Sequence, residues 1–219
     1  MFEKRKKTLR DLRCGPVPPI GSMEDVSLQK FLDGAKAYAA ETGISYHAYL
    51  NWAIETLLYS LEADSAARIF IPKTDTVSFD PEELFPFSAV PSYTNEKVSL
   101  EKAYIIAPLW NNVAVCRALA DTASGWLPDK ADRPMGYYIA DIGLAVICGG
   151  VHHMYFSQLW KRGAACLKTA SLADMADVIR TDGENWYVKE DDGEESWYPV
   201  QEPRMAAIYS MALERLGIE

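Results

Sequence analysis

The sequence predicts an α+β protein with an N-terminal helical hairpin, a small mixed sheet with helices, and a final β-hairpin and helix. Three observations lead to this class. Residues 22–61 carry apolar side chains at helical three- and four-residue spacings, residues 98–179 alternate strand-type and helix-type segments, and residues 184–216 contain two aromatic strands followed by an amphipathic helix. Hydrophobic residues make up 49% of the chain and charged residues 24%, as in ordinary globular proteins.

Four segments are predicted along the chain. The boundaries follow from a Pro/Gly break after the basic start of the chain and from four prolines and several aromatic residues between the helical part and the rest. This Pro-rich stretch is expected to be an ordered but irregular connector that packs across the body. The segments are a basic N-terminal arm at 1–20, a helical hairpin at 21–69, the connector at 70–97 and an α/β domain at 98–219.

The helical hairpin is predicted from its capping residues and its short link. Its first helix is expected to end near Thr42 and Gly43, and Ser45 is an N-cap residue type for the second. Ser22 and Asp25 are the candidate caps of the first helix. The short link between the two helices predicts that they pack as an antiparallel pair.

The α/β domain is predicted from alternating strand and helix signals. Gly163 suits a position just after a helix, and Pro203 suits the first residue of one. The predicted elements are a strand at 98–106, a helix from Asn111 or Asn112 to near Gly125, a β-hairpin at 136–150 turning at 141–143, a helix at 151–162, a strand at 164–171, a helix capped by Ser171, an aromatic hairpin at 184–200 and a last helix from Pro203.

The charge is divided unevenly along the chain. The net charge is −9, yet residues 1–13 hold six basic and two acidic side chains. The rest of the chain, which we call the body, is therefore acidic. An acidic surface does not suit binding to nucleic-acid phosphates, which needs a basic face. Nucleic acid is therefore not expected as a partner of the body, while the arm can contact nucleic acid or an acidic partner. The commoner interpretation of such a run is a solvated helix start or a tail.

Membrane and secretory signals are missing from the sequence. The longest apolar run, 139–151, contains Asp141 and three glycines and falls short of the roughly 18 residues that span a bilayer. The basic start is not followed by the apolar core of a signal peptide. The four cysteines form no CxxC pair, so reduced thiols and no zinc site are expected. These features predict a cytoplasmic protein without a membrane partner.

The stretch ICGGVHHMYF at 147–156 is the strongest candidate for chemistry. It places Gly149 and Gly150 between a predicted strand and a helix that begins near His152. Backbone N–H groups at a helix N-terminus attract anions, and glycines let a phosphate approach the backbone. The imidazoles of His152 and His153 can donate to a phosphate or move a proton near neutral pH. The local pattern therefore predicts an anion site.

The order of elements around this turn resembles the ParB/sulfiredoxin-like superfamily. Residues 98–179 show a leading strand, a small helix, a hairpin, a Gly-rich turn that opens a helix, and a following strand. The resemblance implies a nucleotide at the turn. In the superfamily pattern Gly149 and Gly150 match the motif glycines, and His152 matches a histidine that contacts phosphate. It also implies that Arg117 and Thr122 of the small helix face the ligand.

Two departures from the superfamily pattern change what the resemblance implies. Val151 stands where the sulfiredoxins have their nucleophilic cysteine, which removes sulfinic-acid reduction by that route. Cys148 lies on the wrong side of the turn to replace it. His153 stands where the motif has an arginine, and an imidazole lacks the bidentate fork of a guanidinium. Triphosphate binding is therefore expected to be weaker than in the superfamily.

The remaining motifs favour structural interpretations. Asp174 and Asp177 lie three residues apart on a predicted helix, where capping and a solvated face explain them. The acidic run 190–195 does not have the spacing of a calcium loop. The sequence contains no GxSxG, HExxH or phosphate-loop pattern. The aromatic residues of the hairpin at 184–200 are expected to pair across its strands.

Three functions remain open on the sequence. The first is an uncharacterised bacterial protein that binds a nucleotide or another phosphorylated anion at Gly149–His153. The second is a phosphoester-acting enzyme that uses His152 as acid or base. The third is a structural or protein-interaction module with a vestigial pocket. No cofactor is assigned beyond a nucleotide as the expected form, and the expected partner is a small anionic ligand or another protein.

Overall fold

A computed structural model describes residues 28–67, 80–107, 112–125, 135–160, 162–190 and 192–218 of the chain. Its fold is α+β, as the sequence predicts. The helices are α1 (Leu28–Thr42), α2 (Tyr46–Ala67), α3 (Asn112–Ala123), α4 (Val151–Leu159), α5 (Leu172–Ala176) and α6 (Pro203–Leu216). The strands are β1 (Thr94–Ser99), β2 (Tyr104–Ile106), β3 (Gly136–Ile139), β4 (Leu144–Ile147), β5 (Ala164–Ala170), β6 (Ile179–Thr181), β7 (Asn185–Lys189) and β8 (Glu195–Pro199).

The helical hairpin of α1 and α2 is confirmed. Gly43 joins the two helices in the left-handed region, with φ 71°, a conformation that glycine adopts without a steric penalty. The Ser45 carbonyl accepts the N–H of Tyr49 at 3.0 Å and so starts α2 where the sequence predicts. The candidate caps Ser22 and Asp25 and the basic arm lie outside the described residues.

A five-stranded mixed sheet forms the centre of the fold, with the strand order β1-β5-β3-β4-β2. The pairs β1–β5 and β3–β4 are antiparallel, whereas β5–β3 and β4–β2 are parallel. The predicted hairpin is the β3–β4 pair. A 3₁₀ turn at Ala140–Ile142 connects its strands, followed by Gly143 with φ 65°. Every residue of β4 is buried, as expected of a strand that is covered on both faces.

The prediction of one strand over residues 98–106 was wrong. The chain forms β1, which begins earlier at Thr94, and then β2, and these strands lie at opposite edges of the sheet. Burial explains the division, because Val98 and Leu100 are buried two residues apart and the next buried position is Ala103. A single strand would have to bury position 102, which holds a lysine.

Helices cover both faces of this sheet. On one face, side chains of α1, α2 and α6 share a hydrophobic core with Ile106, Leu144 and Val146. On the other face, Val151 and Met154 of α4 pack on the buried side chains of the same strands. Helix α3 packs on the outside of α4 through a small separate cluster. The turn between β4 and α4 therefore lies at the end of the sheet, and the helix that it opens packs on α3.

A three-stranded antiparallel sheet, β6-β7-β8, completes the fold. The predicted aromatic hairpin is confirmed, with Trp186 opposite Tyr198 and Tyr187 opposite Trp197. Trp186 is buried, and its ring lies 5.6 Å from that of Tyr209 on α6. The side chain of Glu202 accepts the N–H of Arg204 and caps α6, which begins at Pro203 as predicted.

The described part of the connector, residues 80–97, packs across the body, and its end forms the start of β1 rather than an irregular stretch. It contains short 3₁₀ turns at Pro81–Glu83 and Phe87–Ala89. Phe85 and Phe87 are fully buried, and the ring of Phe85 lies 5.4 Å from that of Tyr209. The described residues of the hairpin, the connector and the α/β part thus contribute to one core, and the division into segments stays a prediction. In the described ranges, each helix falls short of the length and apolarity needed to cross a bilayer.

Candidate functional site

The Gly149–Gly150 turn connects β4 to α4, so the predicted strand-to-helix corner is present. Gly150 has φ 63°, in the left-handed region that favours glycine. The Met154 N–H donates to the Gly150 carbonyl at 3.2 Å and forms the first turn of α4. The N–H groups of Cys148 and Gly149 donate to the carbonyl of Met135 at 2.9 and 3.0 Å. The Gly149 N–H is therefore already used within the protein.

The side chain of Met135 covers the two glycines. A Cβ atom added to Gly150 would lie 2.8 Å from Cε of Met135, and one added to Gly149 would lie 3.3 Å from the same atom. The thioether thus fills the space next to the turn that the sequence assigned to a ligand. A phosphate that reaches the glycine backbone must first displace Met135.

His152 lies in the first turn of α4 and is 7% exposed. Burial lowers the pKa of His152 below its ordinary value because it disfavours the charged imidazolium, and the neighbouring His153 lowers this pKa further. His152 is therefore a neutral imidazole near pH 7. In this state it can accept or donate a proton, but it brings no positive charge to an anion.

His153 contacts a carboxylate on the adjacent helix. Its Nε2 lies 3.2 Å from Oδ2 of Asp121 on α3. Arg117 lies one helical turn before Asp121, and its Nε is 4.0 Å from the same oxygen. The side chain of Arg117 is 82% exposed. The structure thus brings Arg117, Asp121 and His153 together at the surface between α3 and α4, and we call these three residues the α3–α4 cluster.

Thr122 does not join this cluster. It is buried, and its hydroxyl donates to the carbonyl of Ala118 in its own helix at 2.7 Å. A hydroxyl used in this way offers a ligand little, since such bonds serve the local backbone. Asp121 is not among the site residues predicted from the sequence, although its i,i+4 spacing from Arg117 on a predicted helix was a usable signal.

Other candidates have structural roles or weak reactivity. Asp174 pairs with the capping Ser171, whose hydroxyl donates to the carboxylate and accepts the Asp174 N–H, which confirms the capping interpretation. The surrounding groups desolvate the Cys148 thiol and raise its pKa, and Asp80 raises it further. A protonated thiol is a poor nucleophile. Within the described residues, no three His, Cys, Asp or Glu side chains are grouped so as to hold a metal ion.

A groove of about 450 Å³ lies in another part of the molecule. It runs between the end of α5 and the three-stranded sheet, and its lining includes Arg180, Lys189 and Glu195. Arg180 and Glu195 form a bidentate pair at 2.6 and 2.8 Å, which occupies two of the charged groups that line the groove. The groove contains none of the residues that the sequence predicts for a site.

The fold and the turn define an α+β protein with helices on both faces of a mixed sheet and a glycine corner that opens a helix. The chain belongs to a family of unknown function, DUF6710, which it matches over residues 21–214. No curated protein and no solved structure matches the chain.

Proposed function

We propose that the protein binds a small phosphorylated anion, with a nucleotide as the expected form, between α3 and α4 beside the Gly149–Gly150 turn. One observation carries the proposal: Arg117 and His153 approach the same carboxylate of Asp121 from two different helices, next to the N-terminus of α4. An exposed guanidinium and an imidazole beside a helix N-terminus are groups that bind phosphate oxygens.

Each member of the α3–α4 cluster has a distinct role in this proposal. Arg117 supplies the positive charge, since its side chain is largely exposed. Asp121 orients the imidazole of His153, but its negative charge opposes an anion. The charges of Arg117 and Asp121 offset each other, so binding is expected to be weak and to strengthen when the carboxylate is neutralised. The N-terminus of α4 adds a favourable dipole.

The ParB/sulfiredoxin-like resemblance supports the same location. From β2 to β5, the elements run in the order strand, helix, hairpin, helix and strand, which is the order on which the resemblance is based, although β1 precedes them as a separate strand. In that superfamily the glycine turn contacts the phosphates. Here Met135 covers the turn, so we place the anion at the α3–α4 cluster and the edge of the turn. A bacterial source and a cytoplasmic location remain part of the proposal.

The experiment that tests the proposal is a titration of the full chain with inorganic phosphate, ADP and ATP, followed by calorimetry and thermal shift at moderate salt. Arg117→Gln is expected to weaken binding by about tenfold, because one charge-assisted contact contributes roughly 1.5 kcal/mol. Asp121→Asn is expected to strengthen it.

Arg180→Gln is the matched control, because Arg180 also pairs with a carboxylate at the surface but lies on the second sheet. It is expected to bind as the wild type does. The proposal is contradicted if neither the wild type nor any variant binds an anion. It is also contradicted if Arg180→Gln weakens binding and Arg117→Gln does not. Complete absence of binding favours the structural or protein-interaction role.

A phosphoester-acting enzyme is the second candidate function. The distance of 3.2 Å between His153 and Asp121 favours it, because an imidazole oriented by a carboxylate is a common acid–base arrangement. The sequence assigned the acid–base role to His152, whereas the structure places the carboxylate at His153. The test is hydrolysis of p-nitrophenyl phosphate by the wild type, by His153→Asn and by His152→Asn. Loss of this activity in one of the variants would establish the enzyme and would show which imidazole acts.

A further inference from the structure

The outer side of the helical hairpin carries a row of aromatic side chains, which we call the hairpin surface: Tyr38, Tyr49, Trp52 and Tyr59. Trp52 is 62% exposed and Tyr59 60% exposed. Ring centroids are 6.3 Å apart for Tyr38 and Tyr49 and 5.9 Å apart for Tyr49 and Trp52. Tyr59 follows Trp52 by seven residues and so lies on the same side of α2. Exposed aromatic rows of this kind mark binding surfaces.

This surface lies in an acidic part of the chain. Residues 37–67 contain four carboxylates, at Glu41, Glu55, Glu62 and Asp64, and no lysine or arginine. Asp64 pairs with Arg204 at 2.6 Å, and Glu62 accepts the N–H of Ile105. The exposed carboxylates of Glu41 and Glu55 therefore set the charge of the hairpin surface. Aromatic rings beside carboxylates bind lysine and arginine side chains through cation–π and Coulomb attraction.

We propose that residues 1–13 of the same chain bind the hairpin surface. This segment has the complementary charge and is the densest basic stretch of the sequence. Its basic residues are Lys4, Arg5, Lys6, Lys7, Arg10 and Arg13, against Glu3 and Asp11. The inference does not depend on the proposed anion site, since it uses no residue of the α3–α4 cluster or of the turn.

The length of chain between the two parts is sufficient. The described residues begin at Leu28, the first residue of α1, and residues 14–27 connect it to the basic segment. Fourteen residues reach at most about 45–50 Å when extended. Tyr38 lies ten residues along α1, about 15 Å from Leu28 along the helix axis. Attachment to the same chain also gives the segment a high effective concentration at the surface.

The proposal concerns this chain rather than its whole family, because the family match begins at residue 21. The basic segment lies before the matched residues, whereas the hairpin surface lies within them. Bound to α1 and α2, the segment would neutralise part of the acidic surface and cover the exposed rings. The docked segment would then be withheld from other acidic partners.

The experiment uses the full chain with a photoreactive p-benzoylphenylalanine in place of Thr8. Irradiation at low protein concentration is expected to give cross-links within single chains to residues 38–59, mapped by mass spectrometry. The paired substitutions Glu41→Lys and Glu55→Lys, and separately Trp52→Ser, are expected to lower the cross-link yield at least about threefold. Raising the salt from about 50 mM to about 500 mM is expected to do the same, because exposed charges are then screened.

Matched controls come from surfaces elsewhere on the protein. Trp197 is 64% exposed on β8, and Glu83 and Glu184 are exposed carboxylates outside the hairpin. Trp197→Ser and the pair Glu83→Lys and Glu184→Lys are expected to keep the wild-type yield. The proposal is overturned if the cross-links lie outside residues 38–59, join different chains only, or respond equally to the control variants. An unchanged melting temperature verifies that each variant is folded.

Discussion

The hydroxyl of Ser65 on α2 both donates to the carbonyl of Ala107 at 2.5 Å and accepts its N–H at 3.0 Å. Ala107 directly follows β2, an edge strand of the central sheet. One turn earlier on α2, Glu62 accepts the N–H of Ile105 within the same strand at 3.0 Å. Helix α2 thus supplies the hydrogen bonds that a further strand would supply, and it protects the edge from pairing with other chains.

Ser65→Ala is expected to destabilise the protein by about 1–3 kcal/mol, because it leaves two buried backbone groups of Ala107 without a partner. Chemical denaturation monitored by circular dichroism measures the change in the free energy of unfolding. Thr56→Ala is the control, since Thr56 is exposed on the same helix and its hydroxyl contacts only the backbone one turn before. Equal effects of the two substitutions would show that Ser65 does not anchor the strand edge.

Gly150→Ala is expected to destabilise the protein by about 1–2 kcal/mol through its left-handed backbone alone. The clash with Met135, whose Cε would lie 2.8 Å from the new Cβ, adds to this cost. Gly193→Ala separates the two causes, because Gly193 has φ 86° and no atom within 4 Å of the new Cβ. Denaturation should therefore rank Gly150→Ala as more destabilising than Gly193→Ala. The reverse order would contradict the placement of Met135 over the turn.

Much of the fold could be predicted because its elements carry local signals. The i,i+3 and i,i+4 spacings marked α1, α2 and α6, and Ser45 and Pro203 marked helix starts. The separation of β1 from β2 was missed, since the apolar residues at 98, 100 and 104–106 were assigned to one strand. What divides the strands is that Leu100 and Ala103 are both buried while the two residues between them are exposed. That burial is set by the rest of the fold.

The candidate site was only partly predictable for a similar reason. The glycine pair and the strand-to-helix order are local, so the turn could be located from the sequence. Met135 reaches the turn only through the pairing of β3 with β4, which brings residue 135 beside residue 149. Asp121 meets His153 only because α3 packs on α4 through Val115 and Phe156. Contacts between distant segments depend on packing, which periodicity does not encode.

The stability of the protein is expected to fall in mild acid because of His152. Burial lowers the pKa of His152 in the folded state, so below about pH 6.5 the unfolded chain binds more protons than the folded one. The contribution of His152 to stability is thus present above about pH 6.5 and is lost as the pH falls towards its lower folded pKa.

Unfolding measured between about pH 7.5 and pH 5 should therefore show a steeper loss for the wild type than for His152→Asn. His47→Asn, which removes an exposed imidazole on α2, controls for the loss of a histidine as such. The same pH slope in the wild type and in His152→Asn would contradict the buried neutral state of His152.

Met135→Ala is expected to increase phosphate affinity, because it opens the backbone of the glycine turn at the edge of the proposed anion site. The substitution removes the thioether that lies beside Gly149 and Gly150, so a phosphate no longer has to displace it. An increase of about threefold to tenfold corresponds to roughly 0.7–1.4 kcal/mol of removed displacement cost. Met135→Leu is the matched control, because it keeps most of the side-chain volume over the turn. Calorimetric titration with inorganic phosphate compares the three proteins, and equal affinities in the alanine and leucine variants would place the anion away from the glycines.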